Sequence, residues 1–246
     1  MIKADIQFVR SLADKRARDE HGLFIAEGAK LVEEIMASKS PIERIYTTRH
    51  DLTGPNVEHV ERKDMERISQ LKTASDTLAV VHSPRHKLND DSLCRGLVLA
   101  LDGVQNPGNM GTIIRLADWF GVENIVCSME SADCYNPKVV QATMGAILRV
   151  KVHYTNDLPA MLRRAAERGT PIYGTLLDGE NIYSKELATE GIIIMGNEGR
   201  GLSDECRAIV TDRLFIPPYP ADAPTSESLN VAMATGIILA EFRRPR

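Results

Sequence analysis

The chain has 246 residues, enough for one large domain or two ordinary ones. Its 43% apolar and 26% charged residues lie in the globular range, and no apolar run approaches the roughly 20 residues that span a bilayer. A net charge of −4 does not mark a nucleic-acid binder, but a local basic face under such a total still leaves one open.

The first 22 residues are charged throughout and lack a secretory apolar core, so a cytoplasmic protein is expected. Cys94, Cys127, Cys134 and Cys206 form no C-x-x-C pair and have no His at ligand spacing. They are read as core or surface thiols, with no metal.

In chain order, LFIAEG (23–28) reads as a strand, AKLVEEIMAS (29–38) as a helix and IERIYTT (42–48) as a strand. RKDMERISQLK (62–72) is helical and TLAVVHS (77–83) a strand. The polar, aperiodic stretch that follows makes 84–95 the expected linker between a small domain at 1–83 and a larger one at 96–246.

In the larger part the expected strands are LVLALD (97–102), NIVCS (124–128), RVKVHYT (149–155), PIYGTLL (171–177), GIIIMG (191–196) and RLFIPP (213–218). Between them lie helical patterns at 110–121, 136–148, 157–169 and 203–210, with a closing helix over 226–244. Continuous Val/Ile/Leu strands alternating with helices predict an α/β fold, a mostly parallel sheet with helices on both faces.

Ligands of open α/β sheets bind beyond the carboxyl ends of strands. Three loops stand there: DGVQNPGNMG (102–111), GNEGRGLS (196–203) and PPYPADAPTSESLN (217–230). Gly and Asn tolerate left-handed backbone and let a ligand approach the main chain closely. GNEGRG has neither the spacing nor the early position of a dinucleotide fingerprint, and no phosphate-cradling G-x-x-x-x-G-K-[ST] occurs. Taken alone, Arg115 reads equally as a surface cation, Glu198 as a helix-terminus anion, and Ser228 or Asn230 as a helix cap.

Together the segments resemble the SpoU (TrmH-like) branch of the SPOUT methyltransferases. NPGNMGTIIR (106–115) matches the first family motif, MGNEGRGLS (195–203) the second, and Ile216-Pro217 with SLNVAMATGIIL (228–239) the third. NPKVVQATMGAILRV (136–150) is also family-like, and GLFIAEGAKLVEEI (22–35) resembles the small RNA-binding domain often fused ahead of the catalytic one. In the third motif the stretch 217–227 departs from the pattern, being longer, proline-rich and without its Gly.

The resemblance implies a C-terminal trefoil knot, a homodimer, and methyl transfer from S-adenosylmethionine to a ribose 2′-hydroxyl of RNA, ribosomal RNA before transfer RNA. It implies catalytic roles for Arg115, Asn109, Glu198, Ser228 and Asn230. It implies cofactor contacts at Gly196, Asn197, Gly201, Ile216, Leu229 and Asn230. An inactive RNA-binding member of the same fold is the alternative, and a nucleotide-dependent oxidoreductase a more distant one. Arg10, Lys15, Arg16, Arg18, Arg49, Lys72, Arg243 and Arg244 are the candidate phosphate contacts.

Overall fold

The computed structural model describes residues 1–84, 86–220, 226 and 228–245. The elements are α1 (Lys3–Ser11), α2 (Lys15–His21), β1 (Leu23–Glu27), α3 (Ala29–Ala37), β2 (Ile42–Thr47), β3 (Val57–His59), α4 (Arg62–Ile68), β4 (Thr77–His82) and α5 (Asp90–Leu93). They continue with β5 (Leu97–Asp102), α6 (Pro107–Trp119), β6 (Asn124–Ser128), α7 (Pro137–Thr143), a 3₁₀ turn (Ala146–Leu148), β7 (Lys151–Thr155) and α8 (Leu158–Glu167). The last are β8 (Ile172–Asn181), β9 (Gly191–Gly196), α9 (Asp204–Arg207), β10 (Asp212–Phe215) and α10 (Val231–Phe242). Met1–Arg85 with Asp133–Leu148 pack as one compact unit, and His86–Ala132 with Arg149–Arg246 as a second.

The first unit holds a four-stranded sheet in the order β1-β4-β2-β3, antiparallel except for the β2/β3 pair. β1 is buried along its whole length, and its side chains alternate between two small cores. Leu23 and Ile25 join Ile6, Val9 and Leu12, whose i, i+3, i+6 spacing forms one narrow stripe on the otherwise charged N-terminal segment. Phe24 and Ala26 join Val32, Ile35 and Val140, and the Tyr135 ring lies 4.8 Å from that of Phe24. The helix expected over 136–148 stops at Thr143. Met144 is left-handed (φ +51°), and the chain resumes as the 3₁₀ turn.

The second unit is a six-stranded sheet in the order β10-β8-β9-β5-β6-β7, every pair parallel. This is the mostly parallel α/β fold expected. Val98, Ala100, Ile192 and Ile194 face one way, onto Leu158, Met161, Leu162 and Ala165 of α8 and Cys206 of α9. Leu99, Leu101, Ile193 and Met195 face the other way and are also fully covered, on the side where α10 packs against α6 and β9. Within the expected linker, α5 turns Leu93 into the α8-side core. Among the described residues no helix is long and apolar enough to cross a membrane.

Strand order positions the site. From β5 the chain moves through α6 to β6 on one side, whereas from β9 it moves through α9 to β10 at the opposite edge. β5 and β9 are neighbours, so their carboxyl ends flank the crevice that such a reversal opens.

Candidate active site at the carboxyl ends of β5 and β9

The first loop is shorter than its sequence suggests. Asn106 has extended backbone, Pro107 occupies the first helical position, and the Asn106 side chain accepts from the Gly108 and Asn109 amides at 2.8 and 3.1 Å. A short polar cap followed by Pro is a helix start, so PGNMG forms the first turns of α6 rather than an open loop. Of the glycines in this stretch only Gly103 is left-handed (φ +73°). The crowding at 103–111 therefore serves one turn and one close-packed helix start. A Cβ on Gly108 would stand 3.1 Å from the capping oxygen of Asn106.

The second loop is folded on itself. Asn197 and Gly201 exchange backbone hydrogen bonds at 2.9 Å each, with Gly201 left-handed (φ +71°). The Asn197 oxygen accepts from the Gly199 and Arg200 amides at 2.9 and 3.0 Å. Gly196 faces the Gly201 main chain so closely that any Cβ there would strike it.

Side chains sew the two loops together. Asn197 Nδ2 donates to the Gly103 carbonyl at 2.7 Å, and the Ser203 amide and hydroxyl both donate to Asp102 Oδ2, at 2.7 and 2.8 Å. Glu198 accepts from the Gln105 amide (3.3 Å), the Asn106 amide (3.1 Å) and Asn109 Nδ2 (2.9 Å). It is thus an anion at the start of α6, where the helix dipole and unpaired amides favour negative charge. Partial burial works to raise the Glu198 pKa, but the donors from Asn109 and the backbone outweigh it and hold the carboxyl below its usual range.

The third segment joins through Asn230, whose Nδ2 donates to Asn109 Oδ1 at 3.0 Å while its oxygen accepts from the Ala232 and Met233 amides at 3.0 and 3.3 Å. Asn230 is therefore the cap of α10. Ser228 is exposed and its hydroxyl has no hydrogen-bond partner among the described residues. Of the residues singled out in the sequence, Asn109, Glu198 and Asn230 form one chain of hydrogen bonds, and Gly196, Asn197 and Gly201 build the loop beside it.

Ile216 is half-buried just past β10, and Leu229 is 50% exposed just before the Asn230 cap. The main-chain N–H and C=O of both make no hydrogen bond among the described residues. Of the proline-rich stretch 217–227, residues 221–225 and 227 lie outside the described residues.

Arg115 lies on the exposed side of α6, one turn from Trp119, and has no hydrogen-bond or ion-pair partner among the described residues. It makes no hydrogen bond or ion pair with Asn109 or Glu198. Sequence reasoning missed Asp102, Gln105, Asn106 and Ser203, which position the loops. The Asn-Pro pair at 106–107 was a readable signal for a helix start, whereas nothing local marks Asp102 as the acceptor for Ser203, 101 residues away.

Several basic residues expected to meet phosphate have other partners. Arg18 is 3% exposed, paired to Asp133 at 2.6 Å, and donates to the carbonyls of Leu12 and Ala13. Arg49 is paired with Glu33 and Asp51, and Arg243 donates to the carbonyls of Phe120 and Gly121. An Arg fork satisfied by carbonyls and carboxylates has few donors left for phosphate. Among the described residues no group of three or more His, Cys, Asp or Glu is placed to hold a metal ion.

The SpoU rRNA Methylase family matches residues 96–240, and an MRM3-like substrate binding domain matches residues 3–80. The chain is 31% identical over 241 residues to the 23S rRNA (guanosine-2′-O)-methyltransferase RlmP of Bacillus subtilis, covering 95% of this chain and 94% of that protein. It is 37% identical over 248 residues to the 23S rRNA (guanosine-2′-O-)-methyltransferase RlmB of Xanthomonas campestris, covering 98% and 95%. The crystal structure of an AdoMet-bound rRNA methyltransferase from Sinorhizobium meliloti superposes with a TM-score of 0.84 at 29% identity, over 98% of this chain and 94% of that one. With the family matched across the whole parallel sheet and the loops of its site, this chain belongs to the SpoU rRNA Methylase family.

Proposed function

We propose that the chain transfers a methyl group from S-adenosylmethionine to a ribose 2′-hydroxyl of ribosomal RNA. The hydrogen-bonded chain Asn230–Asn109–Glu198 carries this reading, because it draws all three motif segments to one place beside the carboxyl ends of β5 and β9. The resident chemistry fits the cofactor. Unspent main-chain groups at Ile216 and Leu229 and the tightly turned Gly196–Gly201 loop can hold an adenosine end by backbone contacts alone. Gly196, Asn197, Gly201, Ile216, Leu229 and Asn230 are the residues that would do so.

The cofactor supplies the electrophilic methyl group and its own leaving group. The protein must then position the ribose and stabilise the oxygen as it loses its proton. Glu198 is occupied by three donors and serves to fix the loops rather than to take the proton. Arg115 cannot act as a simple base, since a guanidinium stays protonated at ordinary pH. Its free fork is suited to grip an RNA phosphate and stabilise the developing alkoxide, with the proton leaving through that phosphate or water. Ser228, exposed beside the α10 cap, is available to orient the ribose.

The same reading includes a homodimer. Trp119 on α6 and Met233 on α10 are 83% and 63% exposed, on helices packed against each other, and Arg115 lies one turn from Trp119. Where exposed apolar side chains form one contiguous patch, they mark an interaction surface. A second copy covering this face would border Arg115. The C-terminal trefoil knot and a cytoplasmic location belong to the same proposal.

The test is methyl transfer from labelled S-adenosylmethionine to ribosomal RNA and, separately, to transfer RNA, followed by nucleoside mass spectrometry. A 2′-O-methylnucleoside in the ribosomal arm supports the proposal; methylation confined to a base, or to transfer RNA, overturns it. Arg115→Lys keeps the charge and loses the fork, so turnover is expected to fall at least about tenfold with cofactor affinity unchanged.

A further inference from the structure

The first unit contains a cavity of about 240 Å³ that the methyl-transfer site does not use. Its volume lies below the roughly 300–1,000 Å³ of pockets that take drug-sized ligands, and suits one planar ring system. Ala13, Ile25, Leu71 and Pro137 supply apolar surface. Glu27, Gln70, Asn136, Lys138 and Gln141 supply polar groups.

The polar set is largely unspent. Glu27, 4% exposed, accepts one hydrogen bond on each oxygen, from the Ser69 hydroxyl and the Gln70 amide, both at 2.6 Å. A carboxylate offers about four lone-pair sites, so each oxygen keeps one. The Gln70 and Gln141 carboxamides and the Lys138 ammonium have no partner among the described residues, and Asn136 uses only its oxygen, which accepts from the Lys138 amide. Glu27 holds the Ser69–Gln70 turn and Asn136 caps α7, but the Gln70, Lys138 and Gln141 side chains have no such role among the described residues.

We propose that this cavity takes an unstacked guanine of the RNA, a base other than the one whose ribose is methylated. Of the four bases only guanine presents two adjacent N–H donors on its Watson–Crick edge, which match the two free lone pairs of Glu27. Its O6 and N7 acceptors match the amide donors of Gln141 and Asn136. The base faces lie against Ile25, Leu71 and Pro137, and Lys138 is exposed at the rim to meet a phosphate. RNA is read in this way where loops splay bases out of the stack. The inference rests on the reading of the chain as an RNA methyltransferase.

The experiment uses the full chain and four probes, the 5′-monophosphates of guanosine, adenosine, cytidine and uridine, in calorimetric titrations alongside S-adenosylmethionine. The guanosine probe is expected to bind at least about tenfold more tightly than the others. Glu27→Gln and Gln141→Leu are each expected to weaken it about tenfold while leaving cofactor affinity unchanged. The Gln141 side chain is half-buried and has no hydrogen-bond partner among the described residues, so its variant tests the site even where Glu27→Gln disturbs the Ser69 and Gln70 contacts. Equal binding of the four probes, or guanosine binding that survives both substitutions, overturns the assignment. A wild-type chain that binds the guanosine probe but not S-adenosylmethionine sinks the methyl-transfer reading and leaves the cavity assigned.

Discussion

Asn109 joins Glu198 and Asn230 through opposite ends of one carboxamide: its Nδ2 donates to Glu198 Oε1 at 2.9 Å, and its Oδ1 accepts from Asn230 Nδ2 at 3.0 Å. An amide can do both, whereas a carboxylate cannot donate and an ammonium cannot accept. Asn109→Asp would set two carboxylates against each other. It is expected to weaken S-adenosylmethionine binding at least about tenfold, roughly the worth of one hydrogen bond to a charged group. Calorimetry on the folded variant measures it, and unchanged affinity would show that this linkage does not hold the cofactor loops.

Asn230 both caps α10 and reaches Asn109. The two duties separate in a pair of variants. Asn230→Ala is expected to lose the cap, about 1 kcal/mol, and the linkage as well. Asn230→Ser should restore the cap but not the reach. Thermal melts and cofactor titrations of both are expected to show stability recovered in the Ser variant and affinity lost in each.

Glu198 sets an acid limit. Its pKa is lowered in the folded chain, so its contribution is complete above the unfolded glutamate value and disappears as pH falls through the lower folded value. The stability difference between wild type and Glu198→Gln is therefore expected to be constant from neutral pH to about pH 5 and to shrink below it. Glu27 runs the other way. Burial raises its pKa, and the Ser69 and Gln70 donors only partly offset this. Its term favours folding at low pH and is lost as pH rises through the folded value. Melts of both single variants across pH 3–8, roughly the carboxylate range and above, separate the two terms.

Gly196 and Gly201 are needed for different reasons. A Cβ on Gly196 meets the Gly201 main chain, whereas Gly201 has open space around it but a φ of +71°. Gly201→Ala is thus expected to cost about 1–2 kcal/mol of backbone strain and little else. Gly196→Ala must displace the loop, and its cofactor affinity is expected to fall by well over tenfold. An alanine at 196 that binds the cofactor normally would contradict the packing of this turn.

Arg18 is a structural cation. Removing either Arg18 or Asp133 leaves a buried charge unpaired, for an expected loss of about 3–5 kcal/mol. The salt dependence of RNA binding in an Arg18 variant that remains folded is expected to match wild type, whereas a phosphate contact would lower the slope by about one.

The sequence by itself carried the alternation of apolar strands and helices, and with it the parallel sheet, because buried strand and amphipathic helix periods are local properties of the chain. It also carried the three motifs, whose order and spacing survive without coordinates. It did not disclose the N-terminal α1 and α2. The apolar stripe of α1, Ile6 and Val9 with Leu12 just past its end, is one residue wide and lies among charges, and α2 has no apolar stripe. It left open whether Ser228 or Asn230 caps α10 and whether Glu198 is a helix anion. Folding answers that Asn230 is the cap and that Glu198 serves α6, a helix starting 91 residues earlier in the chain than Glu198 itself. Only tertiary structure decided that Arg18 belongs to Asp133, that Asp102 holds Ser203, and that Glu27 and Gln141 share one cavity. Each joins side chains about a hundred residues apart. Such pairings depend on which strand ends and helix faces the fold makes neighbours, and no local pattern of the chain encodes that.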